Sequence, residues 1–388
     1  MSKKYLTKDF FFLYYPWIYT TNGYSMERIV FHIDVNSAFL SWSAKQVLEQ
    51  GYKVDIRERV SVVWVEEKRK CFVLAASMPA KKLGIKTAMN LYRAKELYPG
   101  LIIAPPDYKY YKQCSNELIK LLRKYFPTLQ QYSIDECFVE YSEDIRDYWD
   151  PITVATELKD FIKKKLWFTV NIGIGNNKFL AKMASDFEKP NKVHTLYKNE
   201  IKEKMWPLAI WELFGCWRRM EPELRKMGIQ TIWDLAHKDK QFLWSVLGNY
   251  WKVLWELANG EDNTKVIDNY DERKGMGASS ITRIDTHDRD FIISFLERFA
   301  VELELGLMDK ELSGNVINVW VRHTDFTYKS HQHRLSHLIN TADKIYEYAL
   351  LLFDELWHGE DINLVGLGIS WLKKTEFKQN ALFSLVTH

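Results

Sequence analysis

Val30-Phe31-His32-Ile33-Asp34-Val35, preceded by Ile29, is a near-continuous run of β-prone residues with one carboxylate near its end. Such a run suits a central strand covered on both faces. A helical stretch follows from Ala38 to Gln50, and Gly51 closes it. A carboxylate at a buried strand end calls for a reason, because an unpaired charge there is costly.

Moving outward, Val60 to Val65 and Cys71 to Ala75 read as strands joined by the charged turn Glu66-Glu67-Lys68-Arg69-Lys70, a hairpin. Tyr132 to Tyr141 (YSIDECFVEY) is β-prone around an acidic pair, and 152–166 is an amphipathic helix carrying Val154, Leu158, Phe161 and Ile162 on one face. Thr169 to Ile174 is a strand, and Asn177 to Phe187 a helix that stops before Pro190. From 197 to 260 the pattern is helical, with Gly228-Ile229 as a tight turn between two short helices. Residues 261–277 are polar and turn-rich, as in a linker. Beyond them, strands at Ser279 to Arg283, Asn315 to Arg322, 331–338 and 364–372 alternate with helices at Phe291 to Met308 and 342–357. That order, βαββαβ, is a split-βαβ module.

The chain has 388 residues, enough for two to three domains, and a formal net charge of +3 excludes a polybasic tail protein. With 47% apolar and 27% charged residues it is globular rather than disordered, and 15 Trp, 21 Tyr and 21 Phe supply several cores. Cys71, Cys114, Cys137 and Cys216 are widely spaced with no CxxC, which argues against a disulfide framework or a zinc knuckle and for a reducing, cytoplasmic setting. The apolar stretch 9–20 lacks a signal-peptide cleavage site, and Pro16 and its shortness argue against a membrane span. Met26 stands just before the first strand, so 1–25 reads as an N-terminal extension or an upstream start.

Asp34, Asp135 and Glu136, if brought to one point, would offer the oxygen ligands that Mg²⁺ requires. Two such ions activate a hydroxyl and stabilise a leaving oxygen in phosphoryl displacement. Neighbouring strand residues face opposite ways, so Asp135 and Glu136 can share a site only across a turn or bulge. Taken alone, the pair reads as a solvated turn.

FHIDVNSAFLSW (31–42), LAASMPAKKLGIKTAM (74–89), YSIDECFVE (132–140) and GIGNNKFLAKMASDFEKPN (173–191) occur in that order. Together they resemble the Y-family (DinB/UmuC-type) translesion DNA polymerases. The resemblance implies an α+β, right-hand polymerase architecture. Its palm would take 26–38 and 104–195, small fingers 39–103, a helical thumb 196–260, the linker 261–277 and a C-terminal βαββαβ little finger 278–376. A tail would follow at 377–388. It makes Asp34, Asp135 and Glu136 catalytic and, with the Val35 carbonyl, ligands of two Mg²⁺ ions. Ser37, Ala38, Phe39, Met78, Lys81 and Lys189 would hold the incoming dNTP. Phe39 falls at the steric gate against a 2′-hydroxyl, and Lys189 reaches the triphosphate as a point charge. Outside the motifs, Phe39 reads as a core residue and Lys189 as a solvated helix end.

Three departures stand out. The family's common D-x-D opening is Asp34-Val35-Asn36. Its usual Tyr and Arg are Met78 and Lys81, which keeps the charge but loses the bidentate fork. The thumb-hairpin glycines are Gly215-Cys216-Trp217, and a tryptophan does not freely adopt positive φ.

Contacts to primer-template DNA are expected from Arg322, Lys329 and Arg334, with His331 and His333, since alternation could place several of them on one face; the plain alternative is a solvated sheet surface. His331, His333 and His337 also raise a metal site, though the spacing is loose. Gln379, Leu382 and Phe383 resemble the Q-x-x-L-F peptides that dock into the bacterial sliding clamp, the apolar pair entering a pocket. The expected function is template-directed DNA synthesis past damaged bases, without proofreading because no exonuclease motif set is present. A non-catalytic DNA- or clamp-binding member of the family and a palm-type nucleotide cyclase are the alternatives.

Overall fold

The computed structural model describes residues 28–67, 70–141, 150–217, 220–241, 243, 249–267 and 274–375. The N-terminal extension and the clamp-like peptide Gln379, Leu382 and Phe383 lie outside the described residues. The chain divides into two compact units, the first taking residues 1–65 and 72–270 and the second 66–71 and 271–388. Among the described residues no helix is long and apolar enough to cross a membrane.

The first unit is built on β1 (Val30–Val35), buried along its whole length. Its alternation sorts two functions onto two faces. Phe31, Ile33 and Val35 join one core with Tyr111, Leu118 and Leu122 of α4 and Val154, Leu158 and Ile162 of α5; α4 spans Tyr108–Leu122 and α5 Pro151–Leu166. His32 and Asp34 point to the other side. Around β1 the five-stranded sheet runs β5-β6-β1-β7-β8, with β5 Leu129–Gln131, β6 Glu136–Glu140, β7 Val170–Gly175 and β8 Val193–Leu196. Between β1 and α4 lie α1 (Ala38–Glu49) and a three-stranded sheet ordered β3-β2-β4. Its strands are β2 Ser61–Glu67, β3 Lys70–Ala76 and β4 Ile102–Ala104; α2 (Met78–Lys82) and α3 (Leu91–Leu97) accompany them.

On the His32/Asp34 face lies α6 (Lys178–Asp186), opened by Asn177, whose side chain accepts from Leu180 N. Gly173 and Gly175 sit beneath it. A Cβ at Gly173 would stand 2.0 Å from the Ala181 carbonyl oxygen, and one at Gly175 2.6 Å from Ala181 N. Only glycine lets this helix lie so close to the sheet.

The outer face of α6 also seeds the helical segment that follows. Phe179, Leu180 and Met183 pack with Ile210, Leu224, Ile232, Leu254 and others. That segment is made of short pieces, among them α7 (Glu221–Lys226), α8 (Ile232–Ala236) and α9 (Asn249–Ala258), with one π turn at Ile201–Met205. The expected tight turn is present, with Gly228 at φ 71°.

The second unit is β9 (Gly275–Thr286), α10 (Arg289–Asp309), β10 (Leu312–His323), β11 (Tyr328–Ile339), α11 (Ala342–Leu356) and β12 (Ile362–Ser370), with a short β13 (Lys373–Lys374). Its main sheet is antiparallel in the order β11-β10-β12-β9, and both helices share its core.

Two expectations need correction. The strand over 132–141 is shorter, because residues 133–135 bend and β6 starts at Glu136. The linker over 261–277 is cut at both ends. Asp262 accepts from Phe179 N, Arg28 donates to the Thr264 carbonyl and Val266 packs on Val30, Phe138 and Ala181. At the other end β9 already begins at Gly275.

Replacing Gly173 by Ala forces the added carbon into backbone. The Gly173→Ala protein should unfold at a lower urea concentration than wild type, by about 3 kcal/mol of stability.

Candidate active site

The antiparallel pairing of β1 with β6 places Asp34 directly opposite Glu136 and His32 opposite Phe138. Residues facing each other this way share a side of the sheet, their Cβ atoms about 5 Å apart. Asp135 is the last residue before the strand, and its carbonyl accepts from Val35 N (3.1 Å), so it lies beside β1. The bend that frees it from strict alternation is made by Ser133. The Ser133 hydroxyl accepts from the Asp135 and Glu136 amides and donates to Asp135 Oδ1 (2.6 Å). The turn that the pair of carboxylates requires is therefore present.

Each carboxylate has a neighbour. Lys189 Nζ bonds Asp34 Oδ2 and sits 2.8 Å from Asp186. Lys182 Nζ donates to Glu136 Oε1 (3.0 Å). Glu136 Oε2 lies 3.4 Å from His32 Nε2, an ion-pair distance without good hydrogen-bond geometry, and the other ring nitrogen meets Ser185 Oγ at 2.7 Å. Asp34 is 5% exposed, and this burial raises its carboxyl above the usual range against the pull of Lys189 and Lys182. Burial would raise Glu136 too, but His32 and Lys182 hold it down to about 2. Burial would lower Lys189, and Asp34 and Asp186 outweigh it, so its ammonium is held charged.

With their carboxylates turned to these partners, no three His, Cys, Asp or Glu side chains among the described residues form a ready ion cage. The donor chemistry is nonetheless that of a hard cation, all oxygen, and positive charge already sits against Asp34.

The nucleotide-contact candidates lie around the turn after β1. Ser37, at φ 46°, caps α1, and Ala38 and Phe39 begin the helix. Lys81 Nζ donates to Ser37 Oγ (2.9 Å), and both burial and the nearby charge of Lys189 lower its pKa. Lys81 and Lys189 thus lie close enough for each charge to act on the other. Met78 opens α2 and is 41% exposed. The Phe39 ring is half-buried and fixed edge or tilt against Trp42, Tyr108 and Tyr111.

Residues 33–186 match the impB/mucB/samB family, and residues 273–382 match that family's C-terminal domain. The chain belongs to this family. It is 39% identical to DNA polymerase IV of Clostridium acetobutylicum over 92% of this chain and 90% of that protein. To DNA polymerase IV of Bacillus velezensis it is 32% identical, over 92% of this chain and 86% of that one. A Y-family DNA polymerase chimera of Dbh and Dpo4 superposes with a TM-score of 0.76, covering 89% of this chain and 100% of that chain at 24% identity, a likeness of fold. The Y-family membership and the α+β polymerase architecture expected from the four motifs are borne out.

Sequence reading missed Lys182, Ser185 and Asp186. Their signal is the spacing within LAKMASDFEKP, where Lys182, Ser185 and Asp186 recur at i, i+3 and i+4 on one helical face, with Lys189 just past the helix end. Trp217 is not among the positive-φ residues, whereas Gly215 is, at 91°, and Tyr250 Oη donates to the Gly215 carbonyl (2.5 Å).

In the second unit, the five basic candidates do not share a face. Arg322 pairs with Tyr328 and Arg334 with Val316, which puts both on the side away from the helices. Lys329, His331 and His333 pair with Val321, Val319 and Ile317, whose side chains enter the helix-covered core. They emerge beside α11, with Lys329 on Glu360 (2.9 Å) and His331 near Glu355 (3.3 Å). Alternation reveals two faces in a sequence but not which one the helices cover. On the open face the Trp320 indole lies flat against the β12 backbone, where a Cβ at Gly366 would come within 2.1 Å of the ring. Arg334 stacks on Trp371 at 4.5 Å, and Arg322 donates to Asn363 Oδ1 (2.6 Å).

A carboxylate depressed by folding stabilises the fold above its unfolded pKa and ceases to do so as pH falls through the folded value. For Glu136 that window runs from about 4.5 down to about 2. In metal-free protein, the urea midpoint of wild type should therefore fall more steeply across this window than that of Glu136→Gln.

Proposed function

We propose that the chain is a template-directed DNA polymerase of the translesion type, acting without proofreading. The observation that carries this reading is the facing of Asp34 and Glu136 across the β1–β6 pair, with Asp135 alongside, in a chain of this family. The reaction is displacement of pyrophosphate from a dNTP by the 3′-hydroxyl of a primer. Asp34, Asp135, Glu136 and the Val35 carbonyl would hold two magnesium ions, which lower the pKa of that hydroxyl and balance charge on the leaving oxygen when bound.

The remaining parts belong to the chain itself. Lys81 and Lys189 present two ammonium charges where a triphosphate would lie beside the Ser37 turn. To reach it, Lys189 exchanges Asp34 and Asp186 for phosphate oxygens. Lys182 stays on Glu136 and fixes its orientation. The Phe39 ring, braced by three aromatic neighbours, cannot swing away from a sugar laid over it, so a 2′-hydroxyl is excluded sterically. Met78 and Lys81 do not support the non-catalytic reading, because Lys81 keeps its charge in the place a phosphate contact needs.

The first unit would then comprise the palm, fingers and thumb at the boundaries expected from the motifs, and the second the little finger. Arg322 and Arg334 on its open sheet face would meet the phosphates of primer-template DNA, and Lys329, on the other side of the edge strand β11, would do so only by leaving Glu360. The tail residues Gln379, Leu382 and Phe383 would dock in a bacterial sliding clamp, and the setting would be the cytoplasm.

Primer extension on undamaged and lesion-containing templates tests this. Wild type should extend both with Mg²⁺, and Asp135→Ala should lose about a hundredfold or more in rate. Phe39→Ala should keep DNA synthesis while raising ribonucleotide use about tenfold relative to dNTPs. Wild-type rates in Asp135→Ala would sink the site assignment.

A further inference from the structure

Asn36 stands where the family's D-x-D opening has its second aspartate, and it is 7% exposed. Across the sheet Asn171, on β7, pairs with Asp34 in register and is fully buried. The two side chains meet, Asn36 Nδ2 donating to Asn171 Oδ1 at 3.0 Å. Everything else they bond belongs to the end of α6 and the loop after it. Asn171 Nδ2 donates to the carbonyls of Ser185 (3.0 Å) and Glu188 (2.7 Å). Asn171 Oδ1 also accepts from Lys192 N (3.2 Å), and Asn36 Oδ1 from Asn191 N (2.8 Å).

These partners fix both amide orientations. Asn171 must aim its NH₂ at two carbonyls and its oxygen at two donors, which uses all four of its hydrogen-bonding positions. Asn36 must aim its oxygen at a backbone N–H, which leaves its NH₂ for Asn171. A carboxylate at 36 has no proton for Asn171 Oδ1. Turning Asn171 over to supply one would set its oxygen against the Ser185 and Glu188 carbonyls. An asparagine at 36 and an asparagine at 171 therefore require each other.

We infer that the Asn36–Asn171 pair is a positioning device that clamps the loop 188–192 to the strand bearing Asp34 and so sets where Lys189 can reach. The inference rests on the reading of Lys189 as a triphosphate contact. The pair touches neither substrate nor ion; it acts through Lys189, which lies between Glu188 and Asn191. Asn36 thus exchanges the carboxylate of the common opening for a neutral hinge pin, without adding a second negative charge beside Asp34.

Two measurements on the full chain test it. Asn171→Asp and Asn36→Asp keep the side chain's shape but bury a carboxylate, so a cooperative urea transition is required of each first, and Asn171→Ser replaces a variant that lacks one. Backbone amide hydrogen exchange across 186–192 should quicken in each relative to wild type, and unchanged exchange would overturn the clamp. In steady-state primer extension, Asn171→Asp should raise the KM for dNTP about tenfold while kcat changes less than threefold. In a Lys189→Ala background the same substitution should leave KM within about twofold. A fall in active fraction with KM unmoved, or a tenfold effect that persists in Lys189→Ala, would show a purely structural role and overturn the inference. Failure of the wild-type chain to extend a primer would strike the polymerase reading instead, while the exchange arm would still decide the clamp.

Discussion

Close approach of one helix to one sheet governs the site. Gly173 and Gly175 let the backbone of α6 settle onto β7 and β1, and that distance decides what Lys182 and Ser185 can touch. From a helix held a side chain's width further out, neither Lys182 could meet Glu136 nor Ser185 reach the His32 ring. Two buried or half-buried carboxylates would then lie on the sheet without compensation, at a cost of several kcal/mol each. The register of β1 against β6 supplies the other half, since a shift of one residue would turn Glu136 to the opposite face.

The two faces of β1 show how folding and chemistry are kept apart within six residues. Phe31, Ile33 and Val35 feed the core formed with α4 and α5. His32 and Asp34 carry polar groups onto a face where α6 provides their partners. Substitutions on the first set should act through packing and those on the second through charge.

Much of this was legible in the amino-acid sequence. The β1 run, the α1 helix and the βαββαβ order follow from periodicity and turn residues, and four ordered motifs point to the family. The start of β6 was not legible, because YSIDECFVEY is β-prone throughout and the bend comes from one hydroxyl, that of Ser133, competing with the ladder for two amides. Lys182 and Asn171 were also missed. The first is visible on a helix face, but nothing local says which strand lies under that face. The second reads as an ordinary strand residue until the loop it holds, some twenty positions later, folds back over it. Which face Lys329, His331 and His333 would share was not legible for a related reason, since the cover of a sheet is a tertiary fact.

The ammonium groups against Asp34 and Glu136 bear on how the protein persists between rounds of work. Because lysines already neutralise these acids, the folded state does not depend on captured ions to hold its most acidic corner together. Loss of bound divalent ions would therefore leave this corner of the fold intact, its charges still balanced from within the chain.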